Sequence, residues 1–350
     1  EIESLSYPDA VRFLAKRAGL EVPEDEEYRA QYKRTERLYA LCKDAARWFR
    51  KQLLADAGRE ARGYIVKRGL STQTVNRFGL GFSPNEWSAL MDAMQKQGYT
   101  QKELLDAGLA VNGKKGGVYD RFRNRLMFPI RNIRGQVIAF SARTMIGEEP
   151  KYINTGDTPI FTKGSEVFGL YEARKSIQDK KRVIVVEGQM DVIQLSQAGF
   201  GEACAPLGTA IRAEHIERLL KMTDHVIFSF DGDAAGRKAA KRAMDLSLPL
   251  LDDAQKVSFV FLPEGEDPDS LVKKSGAPAF EEMLKKALPL SSYLIEALSQ
   301  GLDLAVLEDR NAFIEEASPL VRKTKSPLLR DGLIERLSTA VGYKNSDELR

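Results

Sequence analysis

Acidic side chains follow three separate apolar runs of the chain, and each run has the composition of a buried strand. The acidic residues are Glu187 after residues 182–186, Asp231 and Asp233 after residues 225–230, and Asp267 and Asp269 after residues 257–263. Because the carboxyl ends of strands in an open parallel sheet line the ligand crevice, we expect these carboxylates at one edge. Two unit charges about 4 Å apart repel by roughly 4 kcal/mol at an effective dielectric of about 20. Such a cluster therefore indicates a divalent cation or raised pKa values.

Other interpretations of the same residues are weaker or fail. A DxD run after a strand more often caps a helix than binds a metal ion. The run that begins at Asp231 resembles an EF-hand loop. However, Ala235 and Arg242 stand at positions where that loop needs oxygen ligands. The sequence has neither a GxxxxGK[ST] loop nor a GxGxxG run after the first strand, which argues against P-loop ATPases and dinucleotide oxidoreductases. The two histidines, His215 and His225, are read as ordinary helix and strand-edge residues.

The elements that must position the acids follow from the apolar periodicity. From about residue 181 to 263, β-branched runs alternate with amphipathic helices, which predicts a parallel sheet covered on both faces. Residues 117–145 alternate apolar and polar side chains around a turn at residues 132–135 and predict a strand-rich segment. Helices are predicted over residues 5–19, through Trp48 and Phe49, and across most of residues 288–350.

A basic and aromatic segment precedes the predicted parallel sheet. In residues 119–128, Arg121, Arg123 and Arg125 recur at every second position, so a strand here would place three guanidinium groups on one face. Guanidinium groups on one face suit a phosphate backbone or a triphosphate, although a solvated sheet face explains them as well. Lys151 and Lys163 extend this segment toward the first acidic strand.

Length, composition, charge and cysteine content limit the possible classes of protein. The 350 residues are 43% hydrophobic, which is enough for two or three domains, and the formal net charge is +3. Cys42 and Cys204 have no CxxC partner, which fits a reducing cytosol and excludes a CxxC-type zinc site. No apolar run of membrane-spanning length and no signal peptide are found. Because the chain begins at Glu1, we interpret it as a fragment of a longer protein.

Several segments resemble bacterial DnaG-type primases. EGQMD (187–191) and DGDAAG (231–236) together resemble the Toprim signature, which primases share with topoisomerases and some nucleases. The segments that resemble primases specifically are YDRFRNRLMFPIRN (119–132), PKYINTGDTPIFTKGSEVFGLY (150–171), RGL (68–70) with FGLGF (78–82), and GEDPDSL (265–271). The resemblance covers residues 37 to about 290 and is weaker in the helical tail.

This resemblance implies an α/β fold in four parts. A central Toprim domain, a parallel sheet with flanking helices, would lie between a mixed α+β basic subdomain and a helical subdomain. The implied bounds are residues 1–36 for an N-terminal extension, 37–180 for the basic subdomain, 181–263 for the Toprim domain with its acids reaching about residue 271, and 288–350 for the helical subdomain.

The resemblance also implies roles for individual residues. Glu187, Asp231 and Asp233 would be catalytic and would bind Mg²⁺, with Mn²⁺ as the alternative ion. Asp191, Asp267 and Asp269 would be supporting acids and metal ligands in the same cleft. The template or nucleotide would be bound by Arg121, Arg123, Arg143, Lys151 and Lys163.

The implied activity is synthesis of short RNA primers from NTPs on a single-stranded DNA template. We expect a monomer that acts in the bacterial cytoplasm, at the nucleoid or replisome, and has no membrane contact. The zinc-binding domain and the module that docks on the replicative helicase are expected to lie outside this chain.

Two other functional classes remain compatible with the sequence. The first is a Toprim-type nuclease or topoisomerase. Tyr152, Tyr171 and Tyr293 could in principle act as topoisomerase nucleophiles, but none lies in a motif that identifies one. The second is a non-catalytic nucleic-acid-binding scaffold whose acids hold a structural ion.

Overall fold

The computed structural model describes residues 13–15, 17–19, 26–114, 116–208 and 210–343. Of the helix predicted over residues 5–19, only residues 13–15 and 17 are described as helical, and the rest lies outside the described residues. The chain forms two compact units, one comprising Glu1–Gly63 with Gly79–Thr162 and the other Tyr64–Phe78 with Lys163–Arg350. No helix in the described ranges is long and apolar enough to cross a membrane.

The first unit is built around one long helix and an antiparallel sheet. Helix α1 (Glu26–Leu54) buries a stripe of apolar residues against the sheet, because Leu38, Cys42, Ala45 and Phe49 recur at helical spacing. The sheet has the order β1-β4-β5-β6 and runs antiparallel throughout. The strands predicted in residues 117–145 are therefore confirmed. A second pair, β2 with β3, is also antiparallel.

The strands of this unit are β1 (Gly81–Ser83), β2 (Ala110–Asn112), β3 (Val118–Asp120), β4 (Arg125–Arg131), β5 (Val137–Thr144) and β6 (Tyr152–Asn154). Helix α2 (Arg59–Lys67) crosses from the first unit to the second, and α3 (Thr72–Phe78) belongs to the second. Helices α4 (Ala89–Gln95) and α5 (Gln101–Asp106) complete the first unit, and Thr100 with Glu103 forms a capping box at the start of α5.

The hypothesis that one strand carries Arg121, Arg123 and Arg125 is wrong. Strand β3 ends at Asp120, strand β4 begins at Arg125, and Asn124 between them has a left-handed φ of 50°. The buried Asp120 carboxylate accepts hydrogen bonds from the amides of Leu90 and Met91, which fixes the chain at the break. Because period-two alternation stops here, Arg121, Arg123 and Arg125 do not share one strand face.

The second unit contains the predicted parallel sheet. Its six strands have the order β12-β11-β10-β8-β9-β7, and the four central strands are parallel. These are β8 (Val183–Val185), β9 (Ala203–Pro206), β10 (His225–Phe230) and β11 (Lys256–Phe261). The short edge strands β7 (Val167–Phe168) and β12 (Leu288–Pro289) are antiparallel and were not predicted. The α/β fold class is confirmed.

Amphipathic helices cover this sheet and form the tail of the unit. They are α6 (Leu170–Lys180), α7 (Gln189–Gln197), α8 (Ala213–Leu220), α9 (Ala234–Ser247), α10 (Pro268–Lys285), α11 (Leu290–Ser299), α12 (Leu307–Arg322) and α13 (Pro327–Ala340). The tail helices share one apolar core with the sheet, in which Phe259, Tyr293, Phe313 and Leu333 are buried. The helical character predicted for the tail is confirmed from Leu290 onward, over most of residues 290–343.

Candidate active site

The order of the parallel strands creates one crevice. The chain goes from β8 to β9 on one side and returns past β8 to β10 on the other, so the connection reverses direction between β8 and β10. Ligands of open α/β sheets bind at such a switch point, beyond the carboxyl ends of the strands. Val185 of β8 pairs with Phe228 of β10, so Glu187 and Asp231 follow at neighbouring strand ends. The fold therefore brings these two predicted carboxylates together.

Glu187 and Asp231 are linked by contact and by charge. The Glu187 carboxylate accepts a hydrogen bond from the backbone N–H of Asp231, which opposes a rise in the pKa of Glu187. Burial nevertheless raises this pKa, with further contributions from the carboxylates of Asp231 and Asp233. Burial also raises the pKa of Asp231, followed by repulsion from Asp267 and Asp233. Both carboxyls thus sit in a cluster of like charge.

Asp191 is the most perturbed of the predicted acids. It lies in the first turn of α7, where the Gly188 amide donates a hydrogen bond to its carboxylate. Burial raises the pKa of Asp191 to about 7, and repulsion from Asp267, Asp231 and Asp269 adds to the rise. The electrostatic influence of four predicted acids therefore converges at one point of the crevice.

Asp233 and Asp267 cap helices. The Asp233 side chain accepts from the Gly236 amide at 2.7 Å and begins α9, and Asp267 accepts from the Ser270 amide at 2.6 Å and begins α10. Helix capping, the alternative explanation for a DxD run, thus accounts for one oxygen of each carboxylate. A carboxylate has about four lone-pair sites, so capping leaves acceptor capacity for another ligand.

Asp269 is compensated by two cations. Its buried carboxylate lies 2.7 Å from Lys273 Nζ and 3.2 Å from an Arg68 guanidinium nitrogen. Sequence reasoning did not identify Arg68 as a site residue, although the RGL run that contains it was noted. Because Arg68 and Asp269 lie 201 positions apart, no local pattern could pair them.

The donor set fits a hard divalent cation by its chemistry. All six predicted acids offer carboxylate oxygen, the ligand type that Mg²⁺ and Mn²⁺ prefer. The raised pKa values of Glu187, Asp191 and Asp231 indicate that added positive charge would be favourable here. As the side chains are placed, no three His, Cys, Asp or Glu of the described residues stand close enough to hold an ion.

The predicted basic residues of the first unit make different contacts. Arg121 is half-buried and donates to the Asn154 carbonyl at 2.7 Å, and burial lowers its pKa. The Arg123 guanidinium lies 3.5 Å from the centroid of the Trp87 ring, a cation–π contact on an exposed tryptophan. Arg143 lies on β5 and donates to the Thr144 carbonyl at 3.3 Å. The Lys151 side chain is exposed, and the Lys163 side chain, in the second unit, is half-buried.

Comparison with known protein families gives three matches along the chain. Residues 48–174 match the DNA primase catalytic core, N-terminal domain, and residues 181–261 match the Toprim domain. Residues 291–342 match the DnaB-helicase binding domain of primase. The sequence analysis places the helicase-docking module outside this chain, whereas this match lies within it. The charged, helical sequence of the segment carries no local motif that distinguishes it from an ordinary helical tail.

Curated relatives and solved structures agree with these matches. The DNA primase of Pseudomonas aeruginosa is 44% identical over 99% of this chain, and that of Escherichia coli K12 is 39% identical over 99%. The chain spans 53% and 60% of their lengths. The structure of a DnaG primase catalytic domain bound to ssDNA matches with a TM-score of 0.85 and 38% identity. This match covers 91% of this chain and 99% of the other.

A structure of the Escherichia coli primase catalytic core is similar, with a TM-score of 0.83, 40% identity, and coverage of 88% of this chain and 98% of that one. These two solved domains are thus matched at 38% and 40% identity over 99% and 98% of their lengths. The chain belongs to the family of bacterial DnaG-type primase catalytic cores.

Proposed function

We propose that this chain is the polymerising core of a DNA primase, which joins ribonucleotides from NTPs into short RNA primers on single-stranded DNA. The observation that carries the proposal is the convergence of Glu187, Asp191 and Asp231 at the switch point of a Toprim sheet, with raised carboxyl pKa values. Family membership supports the same activity, because the relatives that match over nearly the whole chain are DNA primases. It does not favour the nuclease, topoisomerase or scaffold alternatives.

Divalent metal would be held by Glu187, Asp231 and Asp233, with Asp191, Asp267 and Asp269 in support. When bound, Mg²⁺ or Mn²⁺ would supply charge neutralisation at the reacting phosphates and activation of the attacking hydroxyl. The chain's own contribution is to bring these carboxylates to one edge of the parallel sheet. Glu187 is oriented by the Asp231 amide, and the helix caps fix Asp233 and Asp267 at the crevice.

The basic residues would bind the template and the incoming nucleotide. Arg121, Arg123, Arg143, Lys151 and Lys163 carry the charge that a phosphate backbone or a triphosphate requires. Trp87 beside Arg123 adds an exposed aromatic face, and bases stack on such faces. The solved complex of a DnaG primase catalytic domain with ssDNA supports a single strand as the ligand.

Further roles are proposed for the whole protein. The segment 291–342 would contact the replicative helicase, as the name of its matching family suggests, and the protein would act as a monomer at the replisome. Pull-down of a helicase by the wild-type chain, compared with Leu328→Asp at an exposed position of the segment, tests the first role. Light scattering tests the second.

Primer synthesis is the decisive test. We expect Asp231→Asn to abolish incorporation of labelled ribonucleotides on single-stranded DNA, because it removes one of the charges that would hold the metal. The matched control is Asp224→Asn, which makes the same change just before β10, at the opposite end of that strand from Asp231. It should leave synthesis at the wild-type rate.

Thermal shift gives a readout independent of catalysis. Millimolar Mg²⁺ or Mn²⁺ should raise the melting temperature of the wild type and of Asp224→Asn, but not that of Asp231→Asn. Wild-type synthesis by Asp231→Asn would refute the metal assignment. Relaxation of a supercoiled plasmid by the wild type, without ribonucleotide incorporation, would favour the topoisomerase reading.

A further inference from the structure

The first unit contains a large basic cleft that the proposed catalytic function does not use. It lies between helix α1 and the hairpin that joins β4 to β5, residues 131–137, and we call it the hairpin cleft. Its volume is about 1070 Å³, whereas small-molecule sites measure roughly 300–1,000 Å³. The cleft is therefore wide enough for an extended ligand.

The hairpin cleft is distant from the predicted template-binding residues of the same unit. Strands β4 and β5 pair Arg125 with Thr144 at one end and Arg131 with Val137 at the other. A strand of this length spans about 20 Å at about 3.4 Å per residue. Arg121, Arg123 and Arg143 lie toward the first end, and the cleft lies at the second.

Charge in the cleft is strongly positive. The basic side chains that line it are Lys43, Arg47, Arg50, Lys51, Arg131 and Arg134, and the acidic ones are Glu36 and Asp44. Asp44 is already engaged, since its carboxylate accepts from the Tyr99 hydroxyl at 2.8 Å and pairs with Arg47 at 3.2 Å. An anionic ligand would thus meet a large excess of cations.

The cleft is built into the fold. Helix α1 presents Lys43, Arg47 and Lys51 at i, i+4 and i+8, on the side opposite its buried apolar stripe. Gly79, with φ +65°, leaves room for the Arg131 guanidinium, because a Cβ there would lie 2.8 Å from Arg131 Nη2. Arg50 donates to the Leu80 carbonyl, and burial lowers its pKa. The fold therefore anchors the Arg50 guanidinium in the wall and leaves space for that of Arg131.

Aromatic faces accompany these cations. Trp48 and Tyr39 line the cleft, and both side chains are half-buried, so that part of each ring reaches solvent. Trp48 packs edge-on against the buried Phe49 ring, with the ring centroids 5.4 Å apart, which restrains its orientation. A positively charged groove with aromatic platforms is the combination that binds single-stranded nucleic acids.

We propose that the hairpin cleft is a second binding site for single-stranded nucleic acid, separate from the catalytic crevice and its basic residues. The identity of the ligand rests on the proposed function, which brings such a strand to this protein. Template DNA and product RNA share the required chemistry of phosphates and stackable bases. An acidic peptide shares only the charge, so the aromatic faces argue against it.

The test uses the full chain labelled with 5-fluorotryptophan. Because the sequence has two tryptophans, the ¹⁹F spectrum should contain two resonances, which Trp87→Phe assigns. Titration with a dT oligonucleotide, without divalent metal or NTPs, should shift the Trp48 resonance. A parallel titration with an rU oligonucleotide shows which strand binds more tightly, and a shift by either strand supports the site.

The variant that tests the charges is Lys43→Gln with Lys51→Gln. This double variant should weaken oligonucleotide binding at Trp48 by roughly fivefold or more at moderate salt. The slope of the logarithm of the binding constant against the logarithm of the salt concentration should become shallower by about 1.4, because each phosphate contact contributes about 0.7. Lys33→Gln with Lys96→Gln is the matched control. It removes the same charge from exposed positions of this unit outside the cleft and should bind like the wild type.

Three outcomes would overturn the site. They are a Trp48 resonance that neither oligonucleotide moves, equal losses in the two double variants, and a shift by oligoglutamate as large as that by either oligonucleotide. These outcomes are distinguishable from failure of the proposed function. Wild-type primer synthesis with an unmoved Trp48 resonance refutes only the cleft, whereas a shifted resonance without primer synthesis refutes only the catalytic proposal.

Discussion

At the residue scale, the six predicted acids have different electrostatic environments. Burial and mutual repulsion raise the carboxyl pKa of Glu187, Asp191 and Asp231, whereas Asp269 is paired with Arg68 and Lys273. The sequence indicated that five of the acids share one edge, because each of them follows a strand, and the resemblance added Asp191. It could not indicate that Arg68 pairs with Asp269, because these residues are 201 positions apart.

Asp120 makes stability depend on pH. Burial raises its pKa to about 6, although hydrogen bonds from the Leu90 and Met91 amides oppose the rise. The pKa in the unfolded chain is about 3.9. The folded state therefore holds the proton more tightly, and the resulting stability is complete below about pH 4 and is lost as the pH rises through about 6.

We expect Asp120→Asn to remove this pH dependence. The free energy of unfolding of the wild type, minus that of the variant, should fall by up to about 3 kcal/mol between pH 4 and pH 7. Urea unfolding at several pH values measures this difference. Parallel pH profiles for the two proteins would show that Asp120 does not titrate in this range.

Glu202 holds a buried ion cluster together. Its side chain is 0% exposed and accepts from Lys180 Nζ at 2.9 Å and from Arg182 Nη2 at 3.0 Å, and Arg182 also pairs with Glu281. Glu202→Ala leaves a half-buried guanidinium without one of its two partners, so we expect a loss of about 3 kcal/mol in unfolding free energy. Glu282→Ala, which breaks an exposed pair with Lys285, should change little. Equal effects of the two variants on chemical denaturation would argue against a structural role for this cluster.

At the element scale, close packing of α9 against the end of β10 shapes the acidic crevice. A Cβ on Gly236 would lie 2.1 Å from the Asp231 carbonyl oxygen, and a Cβ on Gly232 would lie 2.1 Å from the Leu262 carbonyl oxygen. Backbone atoms cannot yield as a flexible side chain can. Glycine at both positions therefore lets the two backbone segments approach closely.

Gly236→Ala should therefore displace Asp231 or α9. We expect a loss of stability of about 2 kcal/mol or more, with a reduced Mg²⁺-induced thermal shift. The comparison is Gly63→Ala, at an exposed helical position where a Cβ meets nothing within 4 Å. That substitution should stabilise the protein by about 0.5–1 kcal/mol. The explanation fails if Gly236→Ala is as stable as the wild type.

Regular elements were predicted where periodicity is long and uninterrupted. Three of the four parallel strands of the second unit, β8, β10 and β11, carry continuous β-branched and aromatic runs, so their type could be recognised. The two edge strands have two residues each, too few to show any period. The error at residues 119–128 has another cause, because the alternation of arginines continues through a break that the buried Asp120 and the left-handed Asn124 impose.

At the scale of the whole molecule, the second unit is discontinuous in sequence. Residues 64–78 pack with residues 163–350, where Phe78 stacks on Phe168 at 5.9 Å and Gln194 donates to the Arg68 carbonyl at 2.7 Å. The four-part division predicted from the sequence stays a prediction. Chain order alone would not separate residues 64–78 from their neighbours.

A fragment of residues 163–350 should therefore be less stable than the same unit in the full chain. The missing segment contributes the buried Val75 and Phe78, which we expect to be worth about 4 kcal/mol together. Adding a peptide of residues 64–78 should raise the melting temperature of the fragment, and a peptide with Phe78→Ala should not. A fragment that gains nothing from the peptide would contradict the packing described above.

The sequence by itself determined the classes of element, the acids that end the parallel strands, and the resemblance to primases, because these depend on local periodicity and on residue types at short spacing. Tertiary structure alone decided the strand order that creates the switch point, the pairing of Arg68 with Asp269, and the basic hairpin cleft of the first unit. Each of these joins residues far apart in the chain, so burial and charge compensation there depend on packing that no local pattern encodes.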